Sequence, residues 1–104
     1  QIEMDARFYQ QAYDDISKAI EISPKNLDYK AEKAAMCLRF GYVDETVSLC
    51  EDVLAVVPDD VTCLRILGYS LLQKGDKEKA RAILNKAVEL GDSTSKEIMD
   101  KYLK

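Results

Sequence analysis

The sequence predicts an all-α fold, a right-handed stack of antiparallel helical hairpins closed by a C-terminal helix, and three observations carry that prediction. Residue types recur every 34 positions: Pro24 and Pro58; Ala19, Val53 and Ala87; Ile16, Cys50 and Leu84; Ala12, Thr46 and Ala80; Gly41 and Gly75. Within each unit the apolar residues fall three or four apart, which gathers them on one face of a helix. Gly and Pro are scarce, 4 and 2 of 104 residues, so long stretches are left uninterrupted for helix. A period of this length marks units that each bury an apolar face against the next.

Helices are expected over 10–22, 27–40, 44–57, 61–74, 77–90 and 95–103. In the first, Ala12, Ile16 and Ala19 share a face, and Pro24 stops the helix. Asn26 caps the second, whose inward positions are Ala34 and Cys37. Gly41 marks the joint with the third, where Thr46, Cys50 and Val53 repeat the pattern of the first helix and Pro58 ends it. Asp60 caps the fourth helix, in which Val61, Leu64, Leu67, Gly68 and Leu71 form one stripe, while Ile66, Tyr69 and Leu72 form a second stripe beside it. One stripe packs; the other needs a separate explanation. Gly75 supplies the left-handed residue that ends this helix, and Asp76 accepts the backbone N–H groups that start the fifth. That helix carries Ala80, Ile83, Leu84, Ala87, Val88 and Leu90 inward, with Lys86 outward. Small residues at Ala34, Gly68, Ala12, Ala19, Ala80 and Ala87 let neighbouring helices approach closely. After Gly91-Asp92, Thr94-x-x-Glu97 has the form of a capping box, and Ile98, Met99, Tyr102 and Leu103 give the last helix an apolar side opposite Lys96, Glu97, Asp100, Lys101 and Lys104. A terminal helix that is apolar inward and polar outward closes a solenoid.

These spacings resemble the tetratricopeptide repeat, whose 34-residue pattern is W-x2-L-G-x2-Y, then A-x3-F, then P. Leu64-x2-Leu67-Gly68-x2-Leu71, Gly75-Asp76 and Ala80-x3-Leu84 carry the likeness best. Ala34-x2-Cys37, Thr46-x3-Cys50 and Pro58 carry it in the preceding unit, where Lys30 and Lys33 stand in place of the family's Trp and Leu. Tyr9-Gln10-Gln11-Ala12-x3-Ile16 and Pro24 match a second half only. The resemblance implies a single domain divided into a partial repeat at 1–26, repeats at 27–60 and 61–94, and a capping helix at 95–104.

Composition excludes several classes of function. Acidic residues outnumber basic ones, 19 to 15, and the cations are interspersed, so a phosphate backbone would find little counter-charge. The longest apolar run, Val53 to Val57, falls far short of the roughly 20 residues of a membrane-spanning helix. Gln1-Ile2-Glu3-Met4-Asp5 lacks the basic start and apolar stretch of a secretory signal, which favours the cytoplasm. Cys37, Cys50 and Cys63 are odd in number and widely spaced, unlike a disulfide framework or a Cys-x-x-Cys pair, and read as buried small hydrophobes. There is no histidine to serve as a general base or to share a zinc site, and no Gly-rich phosphate loop or nucleophile elbow. Asp14-Asp15 reads as a solvated patch and Asp59-Asp60 as a cap. No enzyme, metal or cofactor is expected.

The resemblance implies a protein–protein interaction module in which the first helices of successive repeats line a concave groove for an extended peptide or a partner helix. The groove would show Asp28, Ala31, Glu32, Ala35 and Arg39 from one repeat, and Arg65, Ile66, Tyr69, Leu72 and Gln73 from the next. Arg39, Arg65, Ile66, Tyr69, Leu72 and Gln73 are the partner-binding candidates, with Tyr69 and Leu72 the anchors. The competing reading of those two is packing against Met99 or Leu103. One subgroup of the family grips the C-terminal carboxylates of heat-shock chaperones with Lys, Asn and Arg. That set falls here on Ala31, Ala35, Ile66, Lys96 and Asp100, of which only Lys96 has the right chemistry, so a carboxylate clamp is not expected. The alternative to a binding module is a structural spacer within a longer protein. Because the first repeat lacks most of its first helix, Ala12, Ile16, Ala19, Tyr9 and Tyr13 should be partly uncovered. Either preceding residues of a longer array or a second copy, in a homodimer, would then cover them.

Overall fold

The computed structural model describes residues 6–103, with side chains from Gln10 to Leu103. Six helices follow one another: α1 (Ala6–Ile22), α2 (Leu27–Phe40), α3 (Val43–Val56), α4 (Val61–Gln73), α5 (Lys77–Glu89) and α6 (Ser93–Tyr102). No strand occurs among the described residues. α2 pairs with α3 and α4 with α5. α4 also packs on α3, α2 and α6, which makes it the most enclosed helix of the stack. None of the described helices is long and apolar enough to cross a membrane.

The ends of the helices follow from local chemistry. Asn26, Asp60 and Asp76 are N-caps, their side chains accepting the N–H groups of Tyr29 at 3.2 Å, Cys63 at 3.1 Å and Lys79 at 3.2 Å. Gly75 has φ +86°, a conformation that side chains disfavour, and it lets Asp76 N–H reach back to the Leu71 carbonyl at 2.9 Å. Two boundaries differ from expectation by more than one residue. α1 begins at Ala6, four residues earlier, and α6 begins at Ser93 because Asp92, not Thr94, is its cap, accepting from Ser95 N–H at 3.1 Å.

The core lies between the hairpins. Ala34, Cys37, Cys50, Val53, Cys63, Ala80, Leu84 and Ala87 are wholly buried, as the 34-residue register requires of its inward positions. At the crossing of α4 and α5, Gly68 lies directly against Leu84. A methyl group on Gly68 would come to 2.5 Å from Leu84 Cγ and Cδ2. Two polar side chains share this interior without penalty. The Ser70 hydroxyl donates to the Ile66 carbonyl at 2.9 Å, and the Thr46 hydroxyl to the Tyr42 carbonyl at 2.8 Å.

Where the repeat pattern loses its apolar residues, charge takes over the packing. Lys33 reaches Glu45 of α3 at 3.0 Å and lies 4.9 Å above the Tyr13 ring. Lys30 reaches Asp52 at 3.8 Å. The Tyr13 hydroxyl sits 2.8 Å from both oxygens of Glu45, and its ring meets those of Phe40 and Tyr42 at 6.0 and 5.9 Å. α1 is thus joined to α2 and α3 at one cluster. Ala12, Ile16 and Ala19 are half-buried, and Ile22 is 83% exposed; the Tyr9 side chain lies outside those described. Burial pushes the Glu45 carboxyl up, but hydrogen bonds from Lys33 and Tyr13 outweigh it and hold Glu45 below the usual carboxylate value. The same hydrogen bond, reinforced by burial, pushes Tyr13 up to about 12.

Two predictions arise here. Gly68→Ala should destabilise the protein by about 1–3 kcal/mol through overpacking, and Leu84→Ala by about 2–5 kcal/mol through cavity formation. The double variant should lose clearly less than their sum in urea unfolding, because the new methyl occupies vacated space; strict additivity would count against the close approach. The second concerns pH. Glu45 is depressed, so its contribution is present above the ordinary carboxylate value, about 4.3, and is lost as pH falls through the folded value. Tyr13 is raised, so its contribution holds below the ordinary tyrosine value, about 10, and is lost as pH rises through about 12. NMR of the Tyr13 ring should show titration near 12, and Glu45→Gln should bring it down; a ring titrating near 10 in the native protein would rule the cluster out.

Candidate functional site

α2 and α4, the first helices of the two hairpins, and the terminal α6 touch in sequence and form one continuous face of the stack. Their apolar second stripe opens there onto a pocket of about 220 Å³, lined by Leu38 of α2, Arg65, Ile66 and Tyr69 of α4, and Ile98 of α6. Ile66 is 8% exposed and forms the floor, while the other four are half-buried at the sides.

The polar groups around this pocket are committed to one another. Arg65 Nη1 donates to Asp92 Oδ1 at 3.0 Å, and Asp92 in turn caps α6 and accepts from the Ser95 hydroxyl. Burial pushes the Asp92 carboxyl up, yet the Ser95 hydroxyl and the Arg65 guanidinium together hold it below the usual carboxylate range. The guanidinium therefore acts as a brace between α4 and the start of α6. Next to it, Tyr69 meets Tyr102 with ring centroids 6.2 Å apart, and Lys101 lies 5.3 Å above the Tyr102 ring.

Three of the six candidates from the sequence, Arg65, Ile66 and Tyr69, are brought together at the pocket. Arg39 and Gln73 are exposed away from its lining, and Leu72 is half-buried against the core cluster. Tyr69 meets the ring of Tyr102 on α6, the helix that also carries Met99. Leu38, Ile98 and Tyr102 were not among the candidates. For Leu38 the signal was present, since it stands 34 residues before Leu72 and occupies the same position of its repeat. Ile98 and Tyr102 were legible only as the inward side of a cap.

The cysteines belong to the interior. All three are wholly buried, and Cys50 and Cys63 face one another across α3 and α4. Burial pushes the Cys37 thiol up to about 11. The hydrogen bond with Cys63, and then burial, raise the Cys50 thiol well above the ordinary thiol range. Among the described residues no group of three or more Cys, His, Asp or Glu is placed to hold a metal ion.

A stack of helical hairpins with a pocketed face made by its first helices defines the class: a helical-repeat protein. The sequence profile of the tetratricopeptide repeat matches residues 66–90, which span the later part of α4 and all of α5. The solved structure of MamA protein superposes with a TM-score of 0.72 at 21% identity, covering 91% of this chain and 49% of that one. At such identity the likeness is one of fold, and the chain spans about half the length of that protein. No curated protein matches the chain.

Deep burial of the thiols sets an expectation for their chemistry. Iodoacetamide should label Cys37, Cys50 and Cys63 slowly in the native protein and rapidly once urea has unfolded it. Rapid native labelling of any one of them, followed by mass spectrometry, would show that its helix opens readily.

Proposed function

We propose that this chain mediates protein–protein interaction, as tetratricopeptide repeats generally do, through the face made by α2, α4 and α6, binding a peptide or partner helix without catalysis. In this reading the repeats are divided at 27–60 and 61–94, and 95–104 is the cap. The observation that supports it is the apolar pocket at Leu38, Ile66, Tyr69 and Ile98, which lies where the three helices meet and opens to the surface. Because Arg65 is already paired with Asp92, the pocket offers no uncommitted cation at its wall. Its preference is therefore for an uncharged, apolar side chain rather than a carboxylate. Tyr69 and the 44%-exposed Tyr102 add aromatic contact area beside it. Arg39 and Gln73, exposed on α2 and at the end of α4, are within this proposal the contacts of the peptide's flanks, and Leu72 is a support beneath them.

A displayed random-peptide library selected on the protein tests this. Recovered peptides should share one large apolar residue, and Tyr69→Ala should weaken them by about tenfold or more, as loss of an aromatic anchor does, without lowering thermal stability to match. Peptides that bind Tyr69→Ala as well as the native protein would place the interaction elsewhere.

A further inference from the structure

α4 has a second surface, opposite in kind to the first. The helices on its other side, α3 and α5, pack on α4 but not on each other: no Cα of one comes within 8 Å of a Cα of the other. Between them runs a cleft of about 560 Å³, within the range of ligand-binding pockets. Its floor is Leu67 and Leu71 of α4, and its sides are Val47 of α3 with Ala82 and Ile83 of α5. Ion pairs bracket it along the helices. Lys74 meets Asp44 at 2.7 Å by the start of α3, and Lys86 meets Asp59 at 3.7 Å beyond the end of α3. Asp76, also at the mouth, is used as the cap of α5.

Two charges are left over, and they are of opposite sign on opposite walls. Glu51 projects from α3 and Lys79 from α5; both line the cleft, both are exposed, and neither is in an ion pair among the described residues. We propose that this cleft is a second docking site, which takes the apolar edge of an amphipathic α-helix from a partner protein, with a basic residue on one flank of that helix facing Glu51 and an acidic residue on the other facing Lys79. A helix suits the space because the cleft is the vacant place beside three packed helices, where side chains three and four apart on one stripe can settle on Leu67 and Leu71. Charge decides between partners. A wholly acidic helix would meet Glu51, and a wholly basic one would meet Lys79, each in an apolar cleft where like charges repel. This site shares no lining residue with the pocket at Tyr69, so either reading can fail without the other.

Three designed helical peptides with the same leucine stripe test the proposal: one with a lysine flank and a glutamate flank, one with glutamate on both, one with lysine on both. Because reversing a helix in the cleft exchanges its flanks, the mixed peptide has one matching orientation whichever of its flanks carries the lysines. Amide NMR shifts should move at Val47, Leu67, Leu71, Ala82 and Ile83, and the mixed peptide should bind several-fold more tightly than the others, about two- to fivefold for each charge pair. Glu51→Lys, an exposed change, should switch the preference to the wholly acidic peptide. An unchanged preference in that variant, shifts centred on Leu38 and Tyr69, or no binding at all would overturn the proposal. So would cleft shifts that grow with protein concentration in the absence of peptide, which would identify a second copy as the occupant.

Discussion

The stack depends on how closely α4 and α5 approach at Gly68. Leu84 fills the space that a side chain on residue 68 would need, and it is wholly buried there. The preceding hairpin solves the same crossing with a different division of volume. At the equivalent positions, 34 residues earlier, stand Ala34 and Cys50, both wholly buried in the core cluster. A methyl is gained on one helix, and the bulk of a leucine is reduced to a thiol on the other. Close-packed interiors respond to such single-group changes, so the two pairs are best regarded as alternative fillings of one site.

α1 has Ile16 at this position, and there the interlock gives way to polar anchoring. Tyr13 brings α1 to Glu45 of α3, and Lys33 of α2 completes the cluster by pairing with Glu45 and covering the Tyr13 ring. Lys30 and Lys33, which break the repeat's apolar pattern, therefore have a structural use. Their side chains are largely shielded from solvent, and their ammonium groups end on Asp52 and Glu45. An anchor made of ion pairs and a phenol hydrogen bond responds to pH, whereas the Gly68–Leu84 contact does not, so the two ends of the stack differ in what holds them.

Much of this fold was legible because its determinants are local or periodic. Asn26, Asp60 and Asp76 cap where short-range chemistry places them, and the inward residues recur at one interval. The start of α6 was misread for a physical reason. The register sets Thr94 opposite Asp60, but Gly91, with φ +97°, turns the chain more tightly than Pro58 does, and the cap falls on Asp92. The site was legible only in part. Ile66 and Tyr69 follow from the second stripe of α4, but the pairing of Arg65 with Asp92 joins residues 27 apart, and no periodic pattern shows that the cation is committed. Leu72 sits on that stripe too, yet it packs against the core.

The two stripes of α4 now have separate explanations. Successive helical residues are about 100° apart, so Ile66 and Leu67 cannot face the same way. Ile66 and Tyr69 line the pocket shared with α2 and α6, while Leu67 and Leu71 floor the cleft between α3 and α5. Between these surfaces, Gly68 is locked against Leu84, and Ser70, wholly buried, is satisfied by the helix's own carbonyl at Ile66. The surfaces differ in their electrostatics as well. At the pocket the nearest cation and anion neutralise each other, which leaves shape and apolar area to discriminate. At the cleft Glu51 and Lys79 stand outside the ion pairs of the described residues, and the proposal gives charge on the incoming segment the discriminating part there. A helix that is apolar on so much of its circumference is usually enclosed by its own protein; here neighbouring helices wall two of its sides without covering them, and these are the sides on which the proposed partners would sit.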